Sequence, residues 1–402
     1  MKKPFIIFIS IILLTFIFLF IIEHFLRENI PVDNKIDSEN IENEIPIVEE
    51  PKEDLHFSMS VIGDIMCHNS QYKDAYNSST DTYDFSYVFT DIKSYVSEAD
   101  IAIGNLETTF AGKARGYSNY PTFNTPEQLA YNLKDFGIDV VSTANNHCMD
   151  KSYSGLVSTI NYLNDAGVSH VGTNTSVEEQ NTILIKDVNG IKIAFLAFTY
   201  GTNGIPVPSD KSYAVNLIDE NLILNQISLT KQQNPDLICV SMHWGNEYQT
   251  KQNAEQKRLA NLLFQNGVDI ILGSHPHVLQ PMEKKTITLE DGSTKDCFII
   301  YSLGNFMSGQ TKTNTRNSVI LNMNFTKNGE TEKTTIDSVS YIPIYMYKSS
   351  SVKTQRYSVI DLEKTIQNYE NGIDTSIGQT MYSTLKTELS KIKNTMGENI
   401  EF

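Results

Sequence analysis

Positive charge is scarce in this 402-residue chain: 32 Lys and Arg stand against 48 Asp and Glu, a formal net charge of −16 at pH 7. A nucleic-acid-binding face needs clustered cations, so that class of partner is excluded. Cysteine is scarcer still. Cys67, Cys148, Cys239 and Cys297 show no C-x-x-C spacing and no disulfide framework, and three of them sit in or beside apolar runs where small buried thiols are expected. A Cys67–Cys148 bridge stays open, because spacing does not fix connectivity. No repeat of solenoid period is present, and tryptophan occurs once, at Trp244. Hydrophobic residues still make up 40% of the chain and aromatic ones 10%, enough for a sizeable core.

The N-terminus carries a different signal. After Met1-Lys2-Lys3-Pro4, the run from Phe5 to Ile22 is uncharged and strongly apolar, near the lower limit of about 17 residues for a membrane helix. No small-x-small cleavage site follows, since the flank reads Glu23-His24-Phe25-Leu26-Arg27, and no nearby cysteine offers itself for a lipid. Lys2 and Lys3 lie on the short side, which favours residues 1–4 in the cytoplasm and the bulk of the chain outside. The expectation is one uncleaved transmembrane helix over 5–22 in the cell membrane. Residues 23–54 hold half of the acidic excess and are broken by proline, a composition that cannot bury enough surface to order itself. They are expected to be a disordered acidic linker.

From Phe57 onward, strand-like and helix-like runs alternate, the mark of an α/β fold. Strands are expected at 57–62, 99–104, 138–143, 169–172, 236–242, 268–272, 298–303, 319–325 and 336–344. Helices are expected at 126–136, 155–165, 220–232 and 254–266. The runs 182–188 and 191–199 flank Asn189-Gly190 as a hairpin, which implies mixed rather than purely parallel sheets. These elements give a main domain over 55–350, followed by a helical extension over 351–402.

Five apolar strands end abruptly in residues of metal-ligand type. The clusters are Asp64 with His68, Asn105 with Glu107, Asn145-Asn146-His147, His243, and Gly273-Ser274-His275-Pro276-His277. Open α/β sheets hold ligands at the carboxyl ends of their strands, so five such ends in one sheet edge would converge. Carboxylate and imidazole together suit Mn, Fe or Zn, whereas Ca and Mg favour oxygen alone. Asp64, Glu107, Asn146, His243, His275 and His277 are the candidate ligands for one or two divalent ions. His147 is the candidate general acid, because imidazole donates protons readily near neutral pH. Asn105, Asn145, Asp150 and His68 are candidates to support the ligands or meet the substrate. Trp244 is read chiefly as a packing residue, with substrate stacking as the alternative. His24, His56 and His170 lie outside the clusters.

At these residues the sequence resembles the CapA family, the poly-γ-glutamate capsule biosynthesis proteins, whose domain is a variant of the calcineurin-like metallophosphoesterases. The resemblance rests on six stretches in order. They are Gly63-Asp64-Ile65-Met66, Gly104-Asn105-Leu106-Glu107, Ala144-Asn145-Asn146-His147 with Asp150, His243-Trp244-Gly245 with Glu247-Tyr248, Gly273 to His277, and Tyr301-Ser302-Leu303-Gly304-Asn305-Phe306. Tyr120 to Pro126 and Tyr200 to Pro206 extend it. The resemblance implies a four-layer α/β/β/α sandwich and adds Glu247 to the residues around the site. It also implies an anionic capsular polymer or another envelope substrate, and other capsule-synthase subunits as partners. Asp64 is followed by no histidine at i+2, and Asn105 and Glu107 stand where a Gly-Asp-x-x-Asp stretch is usual, so the resemblance implies a site with fewer ligands. Three functions follow as expectations: a membrane-anchored capsule-assembly factor, a metal-dependent phosphoesterase or other hydrolase, and a binding module.

Overall fold

The computed structural model describes residues 52–288 and 292–402. The expected membrane helix over 5–22 and most of the expected linker over 23–54 lie outside the described residues. Among the described residues, no helix is long and apolar enough to cross a membrane.

The described chain enters on β1 (Leu55–Met66) and makes a small ribbon from β2 (Tyr76–Asn77) and β3 (Thr82–Tyr83). It then lays down β4 (Ile101–Leu106), β5 (Val140–Ser142) and β6 (Ser169–Val171). The hairpin of β7 (Leu184–Val188) and β8 (Ile191–Thr199) turns at Asn189-Gly190, whose φ values of 54° and 84° are those such a turn requires. Next come β9 (Leu237–His243), β10 (Ile270–Ser274), β11 (Leu279–Thr288) and β12 (Thr294–Leu303). β13 (Asn305–Ser308), β14 (Asn317–Lys327), β15 (Thr334–Lys348), β16 (Tyr357–Asp361) and β17 (Ile400–Glu401) complete the set.

Two mixed sheets result. The first runs β16-β15-β14-β1-β4-β5-β6, with β13 added beside β1 and β17 beside β15. Its β1, β4, β5 and β6 are parallel, while β14, β15 and β16 are antiparallel. The second runs β11-β12-β10-β9-β8-β7, parallel at its centre and antiparallel at both edges.

The sheets pack face to face. Met59, Val61 and Ile103 of the first join Phe195, Cys239, Leu272 and Ile300 of the second in one buried cluster. Each such side chain contributes about 1.5–3 kcal/mol of burial. Helices cover the outer faces. Over the first sheet, Gln128–Phe136 inserts Leu129, Leu133 and Phe136 at helical spacing beside Ile62, Ala102 and Val141. Over the second, Ala254–Gln265 inserts Leu259, Leu263 and Phe264 beside Val240 and Ile271. That helix starts cleanly, because Asn253 Oδ1 accepts from Gln256 N at 2.8 Å and the Gln256 side chain accepts from Asn253 N at 2.9 Å.

One open alternative is closed and two expectations are corrected. All four cysteines are free and buried, so Cys67 and Cys148 form no bridge. The stretch 351–402 is not simply helical: β16 pairs with β15 before the helices Leu362–Glu370 and Gly378–Met396 begin. Tyr357, Val359 and Ile360 are buried, so packing on the sheet overrides the helical tendency of that stretch. The helix expected at 155–165 starts earlier, spanning Ser152–Ala166.

Candidate metal centre

β1 reaches the centre through a bulge. Phe57, Met59 and Val61 face the second sheet, but Ile62 and Ile65 face the helices, and the pairing with β4 shifts between Val61 and Asp64. Bulges re-aim side chains in this way. Gly63 permits the approach: a Cβ there would lie 2.1 Å from the Gly304 carbonyl oxygen, and Asp64 N donates to that same oxygen at 2.9 Å. Asp64 Oδ1 accepts from Asn105 Nδ2 at 2.9 Å, and Oδ2 lies 3.2 Å from His277 Nδ1.

Glu107 follows β4 directly. It is wholly buried, and neither carboxylate oxygen has a hydrogen-bond partner. Its Oε1 lies 3.7 Å from His243 Nε2 and 3.7 Å from His277 Nε2. Burial, and then the charges of Asp64, Glu247 and Asp150, hold its carboxyl well above the usual range.

The imidazoles come from the second sheet. His243 ends β9, with Nδ1 against Ser274 Oγ at 2.9 Å and Nε2 against Asn146 Oδ1 at 2.9 Å. Burial, with the imidazoles of His275, His277 and His147 nearby, holds His243 well below its ordinary value. His275 is lowered to about 3, first by burial and then by His277 and His147, and its Nδ1 has no partner. His275 and His277 sit in the turn from β10 to β11 with φ values of 96° and 58°. Left-handed backbone costs a non-glycine residue about 1–3 kcal/mol and persists only where the surroundings impose it. Gly273 is part of that imposition, since a Cβ there would lie 2.0 Å from the Tyr301 carbonyl oxygen.

The donors gather into two overlapping sets. Glu107, His243 and His275 bring ligand atoms within 4.8 Å of one another, and so do Asp64, Glu107 and His277. Glu107 belongs to both. A buried carboxylate without donors must be neutralised by a proton or by a cation. The oxygen and nitrogen set around it fits a divalent ion of the Mn, Fe or Zn kind.

His147 stands beside these sets. Its Nδ1 lies 2.7 Å from Asp150 Oδ2, which also accepts from Phe123 N at 2.6 Å. Its Nε2 is 3.4 Å from Asn203 Nδ2. Asn145 shapes the turn rather than facing the ions: its Nδ2 donates to Leu106 O at 2.7 Å, and its Oδ1 accepts from His147 N at 3.1 Å. His68 lies at the margin, its Nδ1 accepting from Gly309 N at 3.0 Å, and burial first lowers it to about 4. Glu247 is exposed on the rim. Trp244 is turned away, buried in the cluster under the outer helices with Nε1 donating to Tyr301 O at 3.0 Å. Its substrate-stacking alternative therefore has no geometric basis.

Four site residues escaped the strand-end reading. Ser274 holds His243, and Asn305 Oδ1 meets His277 Nδ1 at 3.1 Å. Asn203 Oδ1 accepts from Asn146 Nδ2 at 3.1 Å, and the Tyr200 ring lies 4.5 Å from that of His275. Ser274, Asn305 and Asn203 are hydrogen-bonding residues inside the quoted stretches. Their polar side chains at strand ends and loop tips were the available signal.

The sequence model described as bacterial capsule synthesis protein PGA_cap matches residues 58–310. The chain belongs to this family. It is 30% identical over 285 residues to the capsule biosynthesis protein CapA of Bacillus anthracis, covering 69% of this chain and 66% of that protein. It is 30% identical over 312 residues to the PGA biosynthesis protein CapA of Bacillus subtilis (strain 168), covering 76% of this chain and 78% of that one. Among solved structures, the NAD nucleotidase of Haemophilus influenzae aligns with a TM-score of 0.44 at 13% identity, over 85% of this chain and 61% of that one. The calcineurin-like phosphoesterase YfkN from Bacillus subtilis aligns at 0.42 and 13%, over 83% and 100%. The family match ends before β14, so it takes in every donor of the centre and leaves the outer strands of the first sheet beyond it.

Proposed function

We propose that this chain is a membrane-anchored, extracytoplasmic factor that supports synthesis or export of capsular poly-γ-glutamate or a related anionic polymer through a metal-dependent site. Family membership and the names of the Bacillus relatives support the capsule role. The apolar run from Phe5 to Ile22 supports the anchor, and Lys2 and Lys3 on its short side support an extracytoplasmic main domain.

One observation carries the site: Glu107, wholly buried and unpartnered at both oxygens, is flanked by His243 and His275, two imidazoles that burial holds neutral. Asp64, Glu107 and His277 would hold one ion, and Glu107, His243 and His275 a second, with Asn146 Oδ1 beside His243. Such ions polarise a bound oxyanion and make a water nucleophilic near neutral pH. The chain itself supplies orientation and a proton. Asp150 fixes the His147 ring through Nδ1, which leaves Nε2 as the nitrogen that would protonate a leaving oxygen or nitrogen once it parts from Asn203 Nδ2. Asn203 steadies both Asn146 and His147.

That His147–Asp150 pair favours a second reading, turnover as a hydrolase on an envelope substrate. The full-length protein, purified in detergent, should carry Mn, Fe or Zn that His275→Ala loses while the fold persists. A wild type without bound metal under these conditions would remove the proposal. Assays on phosphodiester, phosphomonoester and γ-glutamyl substrates decide the second reading, which stands only if turnover depends on His147. Restoration of surface polymer to a deletion strain by the wild-type gene tests the capsule role.

A further inference from the structure

Beside the centre, Lys312 presents an exposed ammonium that makes no ion pair among the described residues. Lys312 Nζ sits 3.7 Å above the Tyr248 ring, and that ring lies 6.1 Å from the ring of His277. Among the described residues Lys312 makes no ion pair, although the protein carries a net charge of −16. The nearby Glu247 carboxylate acts on the Tyr248 hydroxyl instead. An ammonium held over an aromatic face keeps its charge and its three donors while losing much of its freedom.

Both halves of this arm hang from the His275-Pro276-His277 turn. Tyr248 N donates to Pro276 O at 2.8 Å, with Tyr248 in left-handed backbone at φ 65°. Asn305, whose Oδ1 meets His277, donates from Nδ2 to Thr315 O at 2.9 Å. Thr315 in turn donates to Lys312 O from its backbone N at 3.2 Å and from Oγ1 at 2.8 Å. Asn305, which meets the His277 imidazole, is thus linked through Thr315 to the Lys312 backbone carbonyl, while the Tyr248 ring seats the ammonium. A cation fixed in this way costs little ordering on binding an anion.

We infer that Lys312, seated on Tyr248, binds an oxyanion of the substrate next to the group held at the centre. The inference rests on the function proposed above and deepens it: the substrate carries at least two oxyanions in series, carboxylate or phosphate, rather than one isolated anionic group. Lys312 is a substrate-binding residue and takes no part in holding the ions.

The test measures binding of two probes to the full-length protein in detergent, by calorimetry: a γ-linked glutamate decamer and bis-glycerol phosphate oligomers of matched charge. Lys312→Ala should weaken binding roughly tenfold, the factor about 1.4 kcal/mol gives, and Lys312→Glu should weaken it further. Lys312→Arg and Tyr248→Phe should stay near wild type, because charge and ring remain, whereas Tyr248→Leu should follow Lys312→Ala. Metal content should be equal in all of them. Preference for one probe over the other tells carboxylate from phosphate. Unchanged binding in Lys312→Glu, or a wild type that binds neither probe, overturns the inference. Metal present with no Lys312 effect sinks the arm alone; a Lys312 effect without metal sinks the metal site alone.

Discussion

Replacing Glu107 by glutamine should have opposite consequences in the metal-free and the metal-loaded protein. In the metal-free fold, Glu107 is buried without a donor, and ionising such a group costs several kcal/mol. Its folded-state pKa is raised above the ordinary 4.5, so the folded chain binds this proton more tightly than the unfolded chain does. The stability that this proton brings is complete below about pH 4.5 and is lost as pH rises through the folded value, at about 1.4 kcal/mol per pH unit. Glutamine has no such loss, so metal-free Glu107→Gln should melt above metal-free wild type at pH 8. Bound metal reverses the sign, because it stabilises the ionised carboxylate that both donor sets share. At a free-ion concentration of about 100 Kd, binding adds about 2.7 kcal/mol, which for a chain of this size raises Tm by roughly 3 °C. Thermal melts of chelated and Mn-loaded protein, read beside metal content, should show that rise in wild type and little of it in Glu107→Gln. A variant that keeps wild-type metal and the full rise refutes the shared-ligand argument. So does a metal-free variant that melts below its parent.

Other expectations concern separate parts of the same geometry. If the second reading holds, His147→Gln should cut turnover by about 10²- to 10⁴-fold with metal content unchanged, and Asp150→Asn should cut it in the same direction; equal rates in steady-state assays would remove the acid role. Acid should destabilise the chelated protein. The pKa values of His243, His275 and His68 are all lowered, the latter two to about 3 and about 4, so between about pH 6.5 and 4 the unfolded chain takes up protons that these rings refuse. Stability present at pH 7 is then lost as pH falls, opposed by the raised carboxyls of Glu107, Asp269 and Asp91; denaturant melts that stay flat from pH 7 to 4.5 would contradict this. Gly273→Ala places a Cβ 2.0 Å from a backbone oxygen and should cost about 3 kcal/mol or more. A melt within a degree of wild type would show that β10 and β12 can separate without penalty.

Much of this was readable in the chain, for physical reasons that differ by residue. A buried parallel strand has to be apolar throughout, so an abrupt Asp64, Glu107 or His243 at its end stands out. The Asn189-Gly190 turn announced its hairpin by its backbone needs alone. Asn203 and Lys312 gave no such contrast, because polar residues in loops are the rule and only the folded chain shows what they touch. β11 was missed because few of its residues are fully buried and it carries Glu283, Lys284 and Lys285, a pattern that reads as loop. β16 was missed because five residues are too few for period to decide. The strand expected at 57–62 lies within β1, but no periodicity argument foresees the bulge that follows Val61 and turns Asp64 toward the imidazoles.

The ligand atoms are divided by origin. Asp64, Glu107 and Asn146 belong to one sheet's side, while His243, His275 and His277 belong to the other. An ion held by both would work as a rivet through two plates whose own hydrogen-bond ladders never join at that point. Withdrawing it should leave every ladder intact yet let the plates slip. Amide exchange near the ends of β4 and β10 would then quicken in concert, at sites that share no backbone bond.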